Sequence, residues 1–211
     1  DDRVRALESW MRTLPTDYPV ILKPDEGQRG FGVKLVRNKS EAGTHLTHVR
    51  AGVVAQPYHE GPHECGVLWC RSVRADGTLD ASGSIFSITR KTFADLTGDG
   101  VRTLEELVDA HARFSLQAPV FLERFPHAAC MIPERGETVR IAMAGNHCQG
   151  TRFSDGSDLI TPELEAAITT LANRFDGGFD FGRFDLRFSS EHALRRGEGF
   201  SVIELNGVTS E

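Results

Sequence analysis

In Phe181-Gly182-Arg183-Phe184-Asp185-Leu186-Arg187-Phe188, polar and apolar side chains alternate without a break from Arg183 onward. A period of two is the mark of a β-strand with one face in the core and the other in water. It places Arg183, Asp185 and Arg187 on one face. Val202-Ile203-Glu204-Leu205-Asn206-Gly207 repeats the pattern, with Glu204 and Asn206 on one face and Ile203 and Leu205 in the core. Asp185, Glu204 and Asn206 are then two carboxylates and an amide oxygen. These are hard donors suited to Mg²⁺, with Mn²⁺ as an alternative, in a site where the ion keeps waters and bridges nucleotide phosphates. Taken singly, each strand also reads as an amphipathic strand with a wetted face.

At the other end of the chain, Val20-Ile21-Leu22 reads as a short strand and Val33 to Val36 as a second. Between them runs a glycine-rich turn, Asp25 to Gly32, whose Gly27, Gly30 and Gly32 let backbone N–H groups approach an anion closely. Arg29 adds a permanent cation, and Lys23 ends the preceding strand. The alternative is a solvated loop. A dinucleotide fold or a P-loop would run from the glycines into a helix, and no Gly-Lys-Ser/Thr follows. The turn is therefore expected to be a hairpin tip. Two other motifs are set aside. His59-Glu60-Gly61-Pro62-His63 spells a zincin motif, but Gly-Pro inside it disfavours the helix that the chemistry requires. Asp180-Phe181-Gly182 lacks the kinase catalytic loop upstream.

Helices are expected over 2–12, over 40–50, from Thr103-Leu104 with Thr103 or Arg102 near the cap and a carboxylate three residues on, and over Leu164 to Phe175 behind Thr161-Pro162. Strands are expected at Val53 to Gln56, Val67 to Val73, Gly83 to Thr89, Thr138 to Ala144, Phe179 to Phe188 and Phe200 to Leu205. Arg90-Lys91 and Asp99-Gly100 fall around an expected loop, read first as plain surface and alternatively as meeting the substrate, and Asn146-His147 in a turn after a strand with the same two readings. Phe179, Phe181, Phe184 and Phe188 read as core. The fold class is α+β with largely antiparallel sheets.

The 211 residues carry 24 Lys+Arg and 30 Asp+Glu, a formal −6, with 39% apolar and 26% charged content. This composition excludes wholesale disorder and fibrous classes. The acidic balance speaks against a general nucleic-acid binder. No apolar run approaches the roughly 20 residues of a membrane span. Cys65, Cys70, Cys130 and Cys148 form no CxxC pair, so reduced thiols and a cytoplasmic location are expected. The chain opens on Asp1-Asp2 and stops at Ser210-Glu211, and both ends are expected to be cut from a longer protein.

As a set, these segments resemble the ATP-grasp superfamily of carboxylate–amine ligases, of the D-alanine–D-alanine ligase kind, from about residue 15 to the end. Val20-Ile21-Leu22-Lys23-Pro24 and the glycine turn look like the small nucleotide lobe. Val53 to Tyr58 followed by Gly61 to Glu64 looks like the hinge that meets adenine and ribose. The resemblance implies two strand-rich lobes clamping ATP: a nucleotide lobe at about 15–57 and a larger magnesium-binding lobe at about 58–211. A preceding substrate domain is expected to be missing. It further implies that Lys23 contacts the α/β-phosphates, with Gly27, Gln28, Arg29 and Gly30 covering the β/γ end. Gln56 and the backbone near Tyr58 would meet adenine. Glu64 would hold the ribose hydroxyls, with Glu60 as second choice, and Asp185, Glu204 and Asn206 would hold Mg²⁺. Two departures stand out: many relatives carry an acidic residue at the place of Gln56, and the Gly61 to Glu64 spacing is one residue longer. The implied reaction is ATP-dependent activation of a carboxylate as an acyl phosphate, followed by attack of an amine. Arg183 is the candidate to neutralise the transferring phosphate and the later oxyanion, with Arg140 and Arg187 behind it. A phosphotransferase or a non-catalytic nucleotide-binding module is the alternative.

Overall fold

A computed structural model describes residues 2–14, 16–26, 31–142, 145, 150–175 and 178–207. The chain is α+β, every strand pairing among the described residues is antiparallel, and it divides into two compact units, Asp1–Gly61 and Pro62–Glu211.

The first unit is a three-stranded sheet in the order β2-β1-β3, formed by β1 (Val20–Pro24), β2 (Lys34–Val36) and β3 (Val53–Pro57). Val20, Leu22 and Val36 face Val4, Leu7 and Met11 of α1 (Asp2–Arg12) and Ala42 and Leu46 of α2 (Lys39–His48). The 3-to-4 spacing of those helical residues makes one apolar stripe, and burying it against the sheet is the main stabilising term. Asn38 starts α2 by accepting the Glu41 N–H. Alternation sends Ile21 and Lys23 to the opposite face of the sheet. Register places Gln56 beside Ile21 and Val54 beside Lys23 on that same face.

The second unit is built on a five-stranded sheet, β10-β9-β4-β5-β8. Its strands are β4 (His63–Val73), β5 (Leu79–Thr92), β8 (Arg152–Asp155), β9 (Phe181–Phe188) and β10 (Phe200–Asn206). Cys65, Val67, Trp69, Ile85, Ile88, Phe184, Leu186 and Phe188 form its buried face. They pack on α5 (Pro162–Ala172) through Leu164 and Ile168, and on α6 (Glu191–Arg195) through Leu194. A second core in this unit gathers β6 (Asp95–Thr97), β7 (Thr138–Arg140), α3 (Leu104–Ala110) and α4 (Ala118–Leu122). Thr103 opens α3 with the expected reciprocal cap, accepting from the Glu106 N–H while the Glu106 carboxylate accepts from its own.

Two details depart from the simple alternation. The β9–β10 register shifts between Val202 and Glu204, so Ile203 is an extra residue. Val202 and Leu205 pack on the core while Ile203 does not, which corrects the expectation for Ile203. The bulge has a consequence: it lets Val202 stay inward and still turns Glu204 outward. Phe181 is also not core, at 39% exposed. It shares parity with Arg183, and the ring of Phe179 fills the space beside Gly182 instead. His59 to Pro62 form no helix, as the Gly-Pro argument requires.

Candidate functional site

In the first unit, Lys23 Nζ donates to Gln56 Oε1 at 3.0 Å across the diagonal of the β1–β3 pair. The two residues therefore come together on the face away from the helices. Tyr58 follows β3 half-buried, and Glu60 is exposed. Gly27, Gln28, Arg29 and Gly30 lie outside the described residues, as do Asn146 and His147. The strands flanking the glycine turn pair as a hairpin.

In the second unit, the sheet face turned away from α5 and α6 carries the charges. Register aligns Glu64 of β4 with Arg187 of β9 and Lys91 of β5, and Asp185 with Glu204 of β10. Asn206 stands opposite Arg183. Asp185, 4% exposed, is the centre of the group. Its Oδ1 accepts from Arg183 Nε at 2.8 Å and its Oδ2 from Lys91 Nζ at 2.9 Å. Asn206 Nδ2 lies 3.5 Å from the same Oδ2. Arg187 approaches Glu64 at 3.4 Å. Across three strands the order Arg183, Asp185, Lys91, Glu64, Arg187 alternates in sign. Glu204 lies exposed beside it.

Two close approaches need glycine. A Cβ on Gly66 would come within 2.8 Å of Arg183 Cδ and 3.1 Å of Asp185 Oδ1, so the bare backbone of β4 leaves the room those side chains occupy. A Cβ on Gly145 would sit 2.3 Å from Glu64 Oε2. Backbone packed this tightly against Glu64 helps to exclude water from it.

Burial accordingly pushes the Glu64 carboxyl up from its ordinary value, opposed by Lys91 and then Arg187. Asp185 reinforces the upward push, and Arg140 opposes it. A carboxyl raised in the folded state holds protons there that the unfolded chain has released. Its contribution to stability is thus complete below the ordinary value and declines as pH rises toward the raised one. Glu64→Gln is expected to flatten the stability–pH curve from about pH 4.5 upward, apart from a constant offset for the lost ion pair. Urea unfolding at stepped pH measures this, and an unchanged slope would refute it.

Arg90-Lys91 is not a loop, and the pairing of Lys91 with Asp185 has no signal in the sequence. Arg90 and Lys91 both belong to β5, which continues through Thr92. Lys91 turns to the charged face with its side chain 6% exposed. Arg90 turns to the helix side, where Asp158 takes its guanidinium at 2.6 Å and Glu191 at 2.9 Å. Arg140, on β7, is gripped by both oxygens of Asp95 at 3.0 and 3.2 Å and lies 4.1 Å over the Phe93 ring. Its charge still reaches Glu64. Cys65 lies on the core face, where burial pushes its thiol up to about 12, so it is inert.

The fit of a dication can be judged from the donors. Asp185 and Glu204 are paired across β9–β10, and the Asn206 amide reaches the same carboxylate; a flip exchanges its nitrogen for its oxygen. Among the described residues no three His, Cys, Asp or Glu gather as a metal centre. Two carboxylates and one amide therefore fit an ion that draws its remaining ligands from water and phosphate, as Mg²⁺ does.

No protein-family model matches the sequence, and no curated protein does. Among solved structures, the chain is similar to a bifunctional glutathione synthetase from Pasteurella multocida, with a TM-score of 0.45 and 18% identity over 96% of this chain and 28% of that one. It is also similar to D-alanine–D-alanine ligase from Bacillus anthracis, with a TM-score of 0.43 and 14% identity over 97% of this chain and 54% of that one. For the D-alanine–D-alanine ligase from Helicobacter pylori the TM-score is 0.40 with 14% identity, covering 98% and 46%. The chain thus spans between 28% and 54% of these proteins. Among the described residues no helix is long and apolar enough to cross a membrane.

Proposed function

We propose that the chain is the nucleotide-binding and catalytic part of an ATP- and Mg²⁺-dependent ligase of the ATP-grasp type. It would activate a small-molecule carboxylate as an acyl phosphate for attack by an amine. The observation that carries this reading is the placement of Asp185, Glu204 and Asn206 on adjacent strands with Arg183 and Lys91 on the same face. Carboxylates, an amide and two cations so arranged meet both needs of a phosphoryl transfer, metal ligation and oxygen neutralisation.

In the reaction, a carboxylate oxygen attacks the γ-phosphorus, the bond to the β-phosphate oxygen breaks and ADP leaves. The amine lone pair then attacks the acyl carbon, phosphate departs with the C–O bonding pair, and the nitrogen loses a proton. Asp185, Glu204 and Asn206 hold Mg²⁺, which when bound supplies charge neutralisation for the phosphate oxygens. Arg183 neutralises the transferring phosphate and the oxyanion that follows, because it shares the face of Asp185. Arg140 is a secondary candidate for the same charge. In the first unit, Lys23 serves the α/β-phosphates, with Gly27, Gln28, Arg29 and Gly30 at the β/γ end. Gln56 and Tyr58 serve adenine; for the ribose hydroxyls the proposed ligand is Glu64, which belongs to the second unit, with Glu60 of the first as second choice. A cytoplasmic location follows from the reaction's need for ATP.

Calorimetry of the intact protein with Mg·ATP, followed by ADP release over a panel of carboxylates and amines, tests the reading. Release that requires both a carboxylate and an amine is expected. Release with no amine dependence would make the protein a phosphotransferase, and absence of Mg·ATP binding would defeat both.

A further inference from the structure

We propose that Lys91 and Arg183 guard Asp185, so that a divalent cation enters only together with an anionic ligand that takes the two cations over. This rests on the reading of Asp185 as a metal ligand.

Both oxygens of the Asp185 carboxylate are occupied, Oδ1 by Arg183 Nε at 2.8 Å and Oδ2 by Lys91 Nζ at 2.9 Å. The Lys91 and Asp185 side chains are each 6% exposed. Neither charge has water to fall back on, and a buried charge stripped of its partner is strongly disfavoured. Glu64, the register partner of Lys91 and the carboxylate on which the Lys91 charge acts more strongly than that of Arg187, relieves it only in part. That carboxylate also faces Arg187, and burial already pushes its pKa toward the neutral form. The five-member ladder from Arg183 to Arg187 carries one net positive charge. A dication arriving alone adds positive charge to that ladder and takes from both cations the carboxylate they share.

A polyanion changes the balance. Phosphate oxygens brought with the metal offer Lys91 and Arg183 new acceptors, and Asp185 is released to the ion. Cation and polyanion then strengthen each other's binding, and linkage makes the effect equal in both directions. Direct metal–phosphate bonding also couples the two, so coupling alone does not establish the guard. What sets the guard apart is its sign: removing the Lys91 charge must improve the affinity for free metal. A residue that merely supports the fold would weaken it.

The probe is Mn²⁺, followed by electron paramagnetic resonance on the intact protein, with and without a non-hydrolysable ATP analogue. In the wild type, weak binding of free Mn²⁺ and at least a tenfold tightening with the analogue are expected. Lys91→Met is expected to bind free Mn²⁺ at least tenfold more tightly than the wild type, with the tightening by the analogue reduced. If Lys91→Met fails to fold, Lys91→Gln carries the same expectation. Unchanged or weaker free-Mn²⁺ binding in the folded variant overturns the guard while leaving the metal assignment standing. Mn²⁺ binding that survives Asp185→Asn, or that is absent even with the analogue, defeats the metal assignment and the guard with it.

Discussion

Asp185→Asn is expected to lower turnover by about 10³-fold, and Glu204→Gln by a comparable factor, since each removes one of the two carboxylates proposed to hold the metal ion. The two variants separate in stability. Glu204 is exposed and makes no hydrogen bond or ion pair among the described residues, so its replacement should change stability by no more than about 0.5 kcal/mol. Asp185 is the counter-ion of buried Lys91, and its loss leaves that ammonium facing a neutral amide. Breaking a buried pair costs about 3–5 kcal/mol when nothing replaces the partner. The amide oxygen of Asn still accepts a hydrogen bond, which places Asp185→Asn below that range. Urea unfolding alongside ADP release distinguishes the two effects. An inactive but fully stable Glu204→Gln is the cleaner outcome, and full activity in either variant would defeat the metal assignment.

How much of this face is legible in the sequence depends on the length and regularity of each strand. β9 is read correctly, Phe181 apart, because Arg183 to Phe188 alternate strictly and its two neighbours are strands of the same sheet. Asp185 and Arg183 follow from parity alone. Glu204 and Asn206 come out on the right face for an incomplete reason. Their strand contains a bulge at Ile203 that no single-strand periodicity reveals, and Val202 rather than Ile203 is the inward residue. Lys91 shows a different limit. From buried Ile88, counting by twos sends Lys91 to the charged face, but the same count sends Arg90 inward. A charged residue there argues against a strand unless something meets it. What meets it is Asp158 and Glu191, which lie 68 and 101 residues away in sequence. The strand is extended by tertiary contacts, not by local pattern. A further bulge shifts the β4–β5 register beside Phe86 and breaks the alternation before it reaches Lys91. β6 and β8, of three and four residues, are too short to show a period at all.

Arg183→Met is expected to reduce kcat by about 10²–10³-fold while changing the KM for ATP far less, the signature of an interaction made mainly in the transition state. Three arginines compete for that role, and their partners rank them. Arg140 is clamped through Nε and one terminal nitrogen by Asp95, on an aromatic ring. Arg187 faces Glu64. Arg183 gives Nε to Asp185, the carboxylate assigned to the metal, and so stands nearest to where charge would build. A guanidinium is a planar fork of donors, a geometry an ammonium does not reproduce. Arg183→Lys should therefore recover little of the loss, because a single point charge cannot serve Asp185 and an oxyanion together. Arg140→Met serves as the comparison and should cost markedly less in kcat. If Arg183→Met retained wild-type kcat, or lost activity only through KM, the neutralising role would pass from Arg183 to another cation of the face, with Lys91 first in line.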